Sequence, residues 1–325
     1  MRPAFDFRSL HLEDFPRGEI SRAWIHIVNN GIGLPIRIPI FVARGREDGP
    51  TLGLTAAVHG NELNGIPVIQ KLFSQIDVKS LRGALVGVLA MNVPGVVQGI
   101  RAFNDGVDLN RIAPGDPKGT NSEVYIHRLL ERIVYRFDYL IDLHTASSGR
   151  RNSYYIRADM SDQVTARMAK LQGPEIILNN PPSGRSVRGC AAAKGIKSIT
   201  VELRDPNLFQ YSVIDDAVFG IQNVCFDLGL LEGAISCPVQ QMTLCSGSYW
   251  LYTDEGGILE VHPHIGDRVE AGQHIATVRS IFGEITKAFY APEAGIVIGK
   301  NVNPINQTGS RILHLGLNPT LIEMS

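Results

Sequence analysis

The chain has 325 residues, of which 44% are hydrophobic and 19% charged, and its formal net charge is -1. That length accommodates one large domain and a smaller one, and the near-neutral charge excludes a general attraction to nucleic acid or to anionic membranes. The N-terminus lacks the apolar core of a secretory signal, and no segment reaches the length of a membrane span. The four cysteines form no C-x-x-C pair, so we expect reduced thiols and a cytoplasmic location.

The first two thirds of the chain alternate predicted strands with predicted helices. An extended segment at 20–43 precedes an apolar strand at 51–58, and helical spacing follows at 62–76. Further strands are predicted at 84–91, 139–143, 153–156, 175–178 and 197–203, and further helices at 122–135, 159–171 and 213–230. Strands that are apolar on both faces and alternate with helices predict an α/β fold. We therefore expect a mainly parallel mixed sheet flanked by helices.

The segment from Asn92 to Asn121 is predicted to be a long loop, because it is rich in Gly, Pro, Asn and Asp. Such loops within compact domains are uncommon and are usually functional or disordered. This one contains Arg101 and the pair Asn110 and Arg111, whose amide and guanidinium groups suit the two oxygens of a carboxylate. With a hydrolytic metal nearby, the loop is interpreted as a clamp for an anionic substrate. Without one, its arginines would be ordinary surface residues.

Two predicted strands end at histidines. His59 follows the strand at 51–58, with Glu62 three positions later, and His144 follows the strand at 139–143. The carboxyl ends of parallel strands meet at one edge of a sheet, so these side chains are expected to converge. Two histidines and one carboxylate leave a fourth position open for water, which is the arrangement of catalytic zinc. We therefore predict one Zn2+ per chain; the alternative for His144 is a turn histidine that caps its strand.

A catalytic zinc site also needs a base that is not a metal ligand. Glu202, at the end of the strand 197–203, is the candidate, and its alternative role is an ion pair with Arg204. Arg204 is interpreted as a partner of Asp205, with a substrate contact as the alternative.

From about Ser248 the composition changes, because glycine-rich turns recur at short intervals between β-rich runs. This spacing predicts an all-β barrel or sandwich. The predicted organisation is a hydrolase domain at 1–235, a linker at 236–247 and a β-rich domain at 248–325. Four histidines of the last domain are expected at the surface: His262, His264, His274 and His314.

The C-terminal segment resembles a biotinyl/lipoyl module in Gly256-Gly257-Ile258, Gly266-Asp267-Arg268-Val269 and Ala291-Pro292-Glu293-Ala294-Gly295. The hairpin at 280–284 has no lysine at its tip, and Lys287 lacks the flanking methionines of a carrier lysine. The module is therefore interpreted as structural. It would shape the mouth of the cleft or form the contact of a homo-oligomer.

Four stretches, in order, resemble the motifs of the succinylglutamate desuccinylase/aspartoacylase family, whose members are related to zinc carboxypeptidases. They are His59-Gly60-Asn61-Glu62, the stretch from Arg101 to Asp108-Leu109-Asn110-Arg111, Asp142-Leu143-His144 and Thr200-Val201-Glu202-Leu203. Together they cover residues from about 50 to 205.

The resemblance implies that His59, Glu62 and His144 bind zinc and that Glu202 is the general base and proton shuttle. It also implies that Arg101 polarises the scissile carbonyl, while Asn110 and Arg111 hold a substrate carboxylate.

The implied activity is hydrolysis of the amide bond of a small N-acyl amino acid, with no nucleic-acid or membrane partner. The alternative is a metallocarboxypeptidase acting on short peptides, which the extra C-terminal domain disfavours by narrowing the cleft. A carrier module and a non-catalytic metal-binding protein are the remaining hypotheses.

Overall fold

A computed structural model describes residues 5–236 and 241–323. The first ten strands of these ranges are β1 (Phe5–Phe7), β2 (Glu19–Asn29), β3 (Pro35–Arg44), β4 (Glu47–Ala56), β5 (Arg82–Val88), β6 (Tyr139–His144), β7 (Arg150–Asn152), β8 (Tyr154–Ala158), β9 (Ile176–Asn179) and β10 (Lys197–Leu203). The helices are α1 (Gly65–Gln75), α2 (Val93–Gln98), α3 (Leu109–Ile112), α4 (Asn121–Arg132), α5 (Gln163–Leu171), α6 (Val187–Ala193) and α7 (Tyr211–Asp227), with short 3-10 helices at Leu12–Asp14 and Val134–Arg136. The remaining strands are β11 (Gln241–Cys245), β12 (Gly247–Tyr252), β13 (Gly257–Val261), β14 (Arg268–Val269), β15 (His274–Arg279), β16 (Ile285–Tyr290), β17 (Gly295–Asn301), β18 (Ile305–Asn306), β19 (Arg311–Leu317) and β20 (Thr320–Glu323).

Eleven strands form one large sheet in the order β1-β2-β3-β5-β4-β6-β10-β8-β9-β11-β20. Most of its neighbouring strands are parallel, and the others are antiparallel. Two separate apolar clusters pack against it, one containing residues of α1, α5 and α7 and the other residues of α4 and α6. The predicted α/β fold with a mainly parallel mixed sheet and helices is confirmed.

The three central strands β4, β6 and β10 run parallel, so their carboxyl ends meet at one edge of the sheet. In the register of these strands, Ala56 lies opposite Leu143 and His144 lies opposite Glu202. His59 follows β4 by three residues. The sheet therefore brings the predicted ligands and the predicted base to the same edge.

The segment 92–121 is less irregular than predicted, because it contains α2 and α3. The side chain of Asn92 accepts a hydrogen bond from Gly95 N and begins α2, and Asp108 accepts one from Asn110 N and begins α3. The residues that indicated a loop are thus helix caps in part. The helix α6 was not predicted, since seven residues are too few to establish a helical period.

Two smaller sheets form a β-rich C-terminal part, as predicted. One has the order β12-β19-β17-β14 with β7 also paired to β17, and the other has the order β16-β15-β13-β18. Ten buried apolar residues form a core of their own, among them Leu259, Val278 and Leu313. The likeness to a biotinyl/lipoyl module stays a prediction.

The linker predicted at 236–247 differs from the structure, although its residues 237–240 lie outside the described ranges. Residues 241–245 form β11, which joins the large sheet between β9 and β20 because Met242 and Cys245 are buried there. The last described strand, β20, also returns to the large sheet. The division at 235 and 248 stays a prediction.

Other expectations concern membrane spans and cysteines. In residues 5–236 and 241–323, no helix combines the length and the apolar character needed to cross a membrane. Cys190, Cys225 and Cys245 are buried free thiols, as predicted for structural cysteines, and Cys237 lies outside the described residues.

Candidate active site

A buried cluster of His59, Glu62 and His144 lies at the carboxyl edge of the large sheet, and each side chain is less than one tenth exposed. Ligand atoms of the three residues all lie within 4.8 Å of one another. His59 Nδ1 is 2.9 Å from Glu62 Oε1, and His144 Nδ1 is 2.9 Å from Glu62 Oε2. The residues that were predicted to share a metal site are therefore brought together.

The turn that carries His59 and Glu62 requires a glycine. Glu62 N donates to His59 O at 3.1 Å, which closes the turn. A Cβ atom on Gly60 would lie only 1.9 Å from the backbone carbon of Gly95, so the turn and α2 approach each other as closely as a glycine allows.

Each histidine contacts a second carboxylate through its other ring nitrogen, Nε2. His144 Nε2 lies 2.9 Å from Asp142 Oδ2, and His59 Nε2 lies 3.1 Å from Asp108 Oδ1. An Nε2–H that donates to a carboxylate leaves Nδ1 as the free lone pair, and such carboxylates orient metal-binding histidines in proteins. In both cases Nδ1 points to Glu62.

The charge balance of the cluster favours a cation. Burial alone would raise the pKa of Glu62, but His59 and His144 outweigh it and hold that pKa well below its usual range. Burial would lower the pKa of His144, but Asp142 and Glu62 raise it well above the usual value. Extra positive charge is thus stabilised between these carboxylates.

The donor set fits a divalent metal ion. His59 Nδ1 is buried and has no hydrogen-bond partner among the described residues, although it faces Glu62. Two imidazole nitrogens and a carboxylate are ligands that zinc prefers, and three protein ligands are typical of its catalytic sites. The cluster is therefore a candidate metal centre.

Arg101 joins this cluster through Glu62 and Asp108. Its Nη1 donates to Glu62 Oε1 at 2.9 Å and also contacts Ser147 Oγ, and its Nε donates to Asp108 Oδ2 at 3.0 Å. Burial would raise the pKa of Asp108, but His59 and Arg101 together lower it. The Arg101 side chain is one third exposed, and together with Glu62 it lines the cavity described below.

Glu202 is buried beside the cluster, and its partner is not Arg204. Arg157 Nε donates to Glu202 Oε1 at 3.2 Å, and Asn152 Nδ2 donates to Oε2 at 3.2 Å. Arg204 instead pairs with Glu175 at 2.6 Å. The alternative of a Glu202–Arg204 ion pair is therefore wrong.

The interpretation of Arg204 as the partner of Asp205 is also not what the structure shows. Asp205 lies 3.6 Å from Arg151 and accepts a hydrogen bond from the Gln210 side chain. Arg204 adopts a positive φ of 58°, and this conformation directs its carbonyl oxygen to Ala146 N.

Asn110 and Arg111 lie at another wall of the same cavity. Asn110 Oδ1 accepts a hydrogen bond from Val187 N at 2.7 Å at the start of α6, which leaves its amide NH2 group for another acceptor. Arg111 is exposed, and both side chains line the cavity described next.

A cavity of about 450 Å³ connects these residues, and it is lined mainly by polar groups. Its walls include the three cluster residues and the four other predicted site residues, which are Arg101, Asn110, Arg111 and Glu202. The C-terminal strands supply one wall through Ser248, Tyr249, Trp250, Tyr252, Arg311 and His314. This volume suits a small molecule.

His314 is not a surface residue, in contrast to the prediction. It is only 2% exposed, its ring stacks on Trp250 with centroids 5.0 Å apart, and its Nε2 lies 2.7 Å from Ser248 Oγ. Burial, followed by nearby arginines, holds its pKa well below the usual value. The three other histidines, His262, His264 and His274, are exposed as predicted.

The sequence interpretation missed several further cavity residues, namely Asp142, Arg150, Arg157, Arg188, Trp250 and Arg311. Asp142 stands two positions before His144 on the same face of β6, and that spacing was the available signal. The others come from β7, β8, α6, β12 and β19, and no local motif connects them.

The fold and the site define the class of protein. It is an α/β protein with a buried histidine–carboxylate–histidine cluster at the carboxyl edge of its sheet, which opens into a polar cavity. The chain belongs to the succinylglutamate desuccinylase/aspartoacylase family, because the model of that family's catalytic domain matches residues 48–226, more than half of the chain.

Named relatives agree with this family. The chain is 27% identical over 268 residues to the N-alpha-acetyl-L-2,4-diaminobutyric acid deacetylase of Halomonas elongata, which covers 79% of this chain and 77% of the relative. It is 27% identical over 172 residues to the succinylglutamate desuccinylase of Pseudomonas paraeruginosa, over 49% of this chain and 52% of that one. A crystal structure of a succinylglutamate desuccinylase/aspartoacylase from Rhodobacter sphaeroides has the same fold, with a TM-score of 0.82 and 22% identity over 98% of this chain and 99% of the other.

Proposed function

We propose that the protein is a zinc-dependent hydrolase that cleaves the amide bond of a small N-acyl amino acid. The observation that carries the proposal is the buried cluster of His59, Glu62 and His144, which opens into the same small cavity as Glu202 and Arg101. The deacylase names of the two relatives support the reaction class.

His59, Glu62 and His144 would hold one Zn2+ per chain, through the two Nδ1 atoms and the carboxylate. When bound, zinc at this cluster supplies Lewis-acid chemistry, because it makes water more acidic and polarises a carbonyl group. Asp142 and Asp108 would keep both imidazoles in the tautomer that this role needs.

Glu202 is the proposed general base. It takes a proton from the attacking water, the water oxygen bonds to the amide carbon, the C–N bond breaks, and Glu202 returns the proton to the departing amine. Asn152 and Arg157 each donate a hydrogen bond to one of its two oxygens. These bonds fix the orientation of the carboxylate, which lines the cavity.

Two further roles complete the proposal. Arg101 stabilises the negative charge that develops on the carbonyl oxygen, and preorganised cations of this kind typically supply a large part of catalysis. Asn110 and Arg111 hold the carboxylate of the substrate, through the free amide NH2 group and the exposed guanidinium.

A substrate panel tests this function. The zinc-loaded protein is expected to release the amine from N-acetyl or N-succinyl amino acids and to leave short peptides uncut, because C-terminal side chains close one wall of the cavity. Release of C-terminal residues from peptides, with no deacylation, would favour the metallocarboxypeptidase alternative. Absence of both activities in the zinc-loaded protein would contradict the proposal.

Asp142→Asn is expected to weaken zinc binding by about 10- to 100-fold, because the amide is a poorer acceptor for His144 Nε2–H and no longer fixes its tautomer. The measurement is a competition titration against a chelator of known affinity. Asp215→Asn, a change of the same type on an exposed residue that pairs with Lys71, is the matched control. Equal zinc affinity in the Asp142 variant and the wild type would show that Asp142 does not position His144.

A further inference from the structure

The cavity holds more positive charge than its own acids neutralise. Among the described residues, six arginines line it, against the carboxylates of Glu62, Asp142 and Glu202. The arginines are Arg101, Arg111, Arg150, Arg157, Arg188 and Arg311. A bound metal ion would increase this excess, so the cavity is suited to a ligand with several negative charges.

Four of these arginines already have a place in the structure or in the proposed function. Arg101 and Arg157 form ion pairs with acidic residues of the site. Arg188 is buried and donates to the backbone and the side chain of Asn180, and Arg111 is assigned to the substrate carboxylate. Arg150 and Arg311 are the two arginines of the cavity that have no such role.

Arg150 and Arg311 lie together beside Trp250. Their guanidinium carbons are 5.7 Å and 5.4 Å from the centre of the Trp250 ring, and Arg311 is also 5.7 Å from the Tyr252 ring. Within residues 5–236 and 241–323 neither guanidinium has a hydrogen bond or an ion pair, and Arg311 Nε is buried without a partner. Burial, and then the charge of Arg311, lowers the pKa of Arg150, which shows that the two like charges are close.

The pair is fixed by the strands that carry it. Arg150 begins β7, which is paired with β17, and Arg311 begins β19, which is paired with both β17 and β12. The Trp250 ring is held in turn by the stacked His314. Donors on paired strands are preorganised for a ligand, and an aromatic ring attracts a guanidinium group placed near it.

We propose that Arg150 and Arg311, which both lie beside Trp250, form an anion subsite for a second carboxylate of the substrate, distinct from the one assigned to Asn110 and Arg111. This inference rests on the proposed function. It makes the substrate an N-acyl amino acid with at least two carboxylates, the second on the acyl arm or on the amino-acid side chain. A cationic side chain, such as that in the name of the Halomonas relative, is disfavoured by like charge at this wall.

Four matched substrates separate the two sources of the carboxylate. N-Butyrylglutamine has one carboxylate, N-succinylglutamine adds one on the acyl arm, N-butyrylglutamate adds one on the side chain, and N-butyryl-2,4-diaminobutyrate adds a cation. For the zinc-loaded wild type we expect kcat/KM for one dicarboxylate to exceed that for N-butyrylglutamine by about 10- to 100-fold, mainly through KM. The dicarboxylate that is preferred identifies the source.

Arg311→Gln and Arg150→Gln test the residues. In each variant the ratio of kcat/KM between the preferred dicarboxylate and N-butyrylglutamine should fall towards one, and Arg311→Lys should restore part of it. Arg268→Gln, at the exposed first residue of β14, is the control and should keep the wild-type ratio. The circular dichroism spectrum of each variant shows whether it is folded. Because the same result is expected from substitutions at two different positions, loss of the subsite can be distinguished from loss of folding.

The possible failures can be distinguished. Hydrolysis of all four substrates without a dicarboxylate preference, or a preference that survives both glutamine variants, overturns this inference and leaves the proposed function intact. Hydrolysis of none of them by the zinc-loaded protein overturns both.

Discussion

Replacement of Glu202 by glutamine is expected to lower kcat by about 10²- to 10⁴-fold, the range typical of a lost general base. The glutamine keeps the shape of the side chain, and its single oxygen can still accept from Arg157. Its NH2 group then faces Asn152, whose unpartnered Oδ1 can accept from it if the Asn152 amide turns over, but the glutamine cannot take a proton from water. Glu202 is not in the three-residue cluster, so zinc content should stay at about one ion per chain. The measurements are steady-state rates on the preferred substrate and metal analysis of the same sample.

Glu175→Gln is the matched control for this prediction. Glu175 makes an ion pair with Arg204 and does not line the cavity, so its replacement should leave the rate within a few-fold of the wild type. A Glu202→Gln protein that turns over at the control rate would remove Glu202 from the role of base. Loss of zinc from that variant would instead make Glu202 a part of the metal site.

The sequence was sufficient for the parts of the site that lie at strand ends. Apolar runs such as 139–143 and 197–203 are buried on both faces, so they were recognised as central strands together with the polar residue at each exit. Parallel pairing then places His144 opposite Glu202, as the rule for carboxyl ends of strands requires. Local patterns and one topological rule therefore accounted for the convergence of these residues.

The wall of the cavity that is formed by the C-terminal strands could not be predicted in the same way. His314 is one of five consecutive buried residues in β19, and only its stacking on Trp250 and its contact with Ser248 make that position suitable for an imidazole. The pairing of β7 with β17 connects Arg150 to Asn301, which are far apart in sequence. Such contacts depend on how separate sheets pack together, and a single sequence does not encode that in any periodic pattern.

Dependence on contacts that are distant in sequence also explains why the strand at 241–245 and the helix at 187–193 were not predicted. The strand β11 belongs to the large sheet because it pairs with β9 and β20, although it follows a segment that was interpreted as a linker. The helix α6 is short, and it begins where the Ser186 side chain accepts a hydrogen bond from Gly189 N. Both elements depend on tertiary pairing or on a cap, so their periodicity is too weak to predict.

Loss of a metal ligand is the second large effect that we expect. His144→Ala removes one of the two imidazoles and leaves Glu62 and Asp142 buried without their common partner. Zinc content should fall from about one ion per chain to near zero, and deacylation should be lost with it. In the wild type, zinc at about 1,000 times its dissociation constant should stabilise the fold by about 4 kcal/mol, and this zinc-dependent stabilisation should vanish in the variant.

The measurements are metal analysis, rates and thermal unfolding, each made before and after chelation and after zinc is added back. Chelation of the wild type should abolish turnover and lower the Tm, and zinc should restore both. Glu62→Gln removes another proposed ligand but keeps the shape of the side chain, so loss of zinc from this variant would not be explained by a general folding defect. His264→Ala, at an exposed histidine, should behave as the wild type. Since His59, Glu62 and His144 act as one cluster, a His144→Ala protein that still binds zinc and shifts its Tm would mean that the metal lies elsewhere.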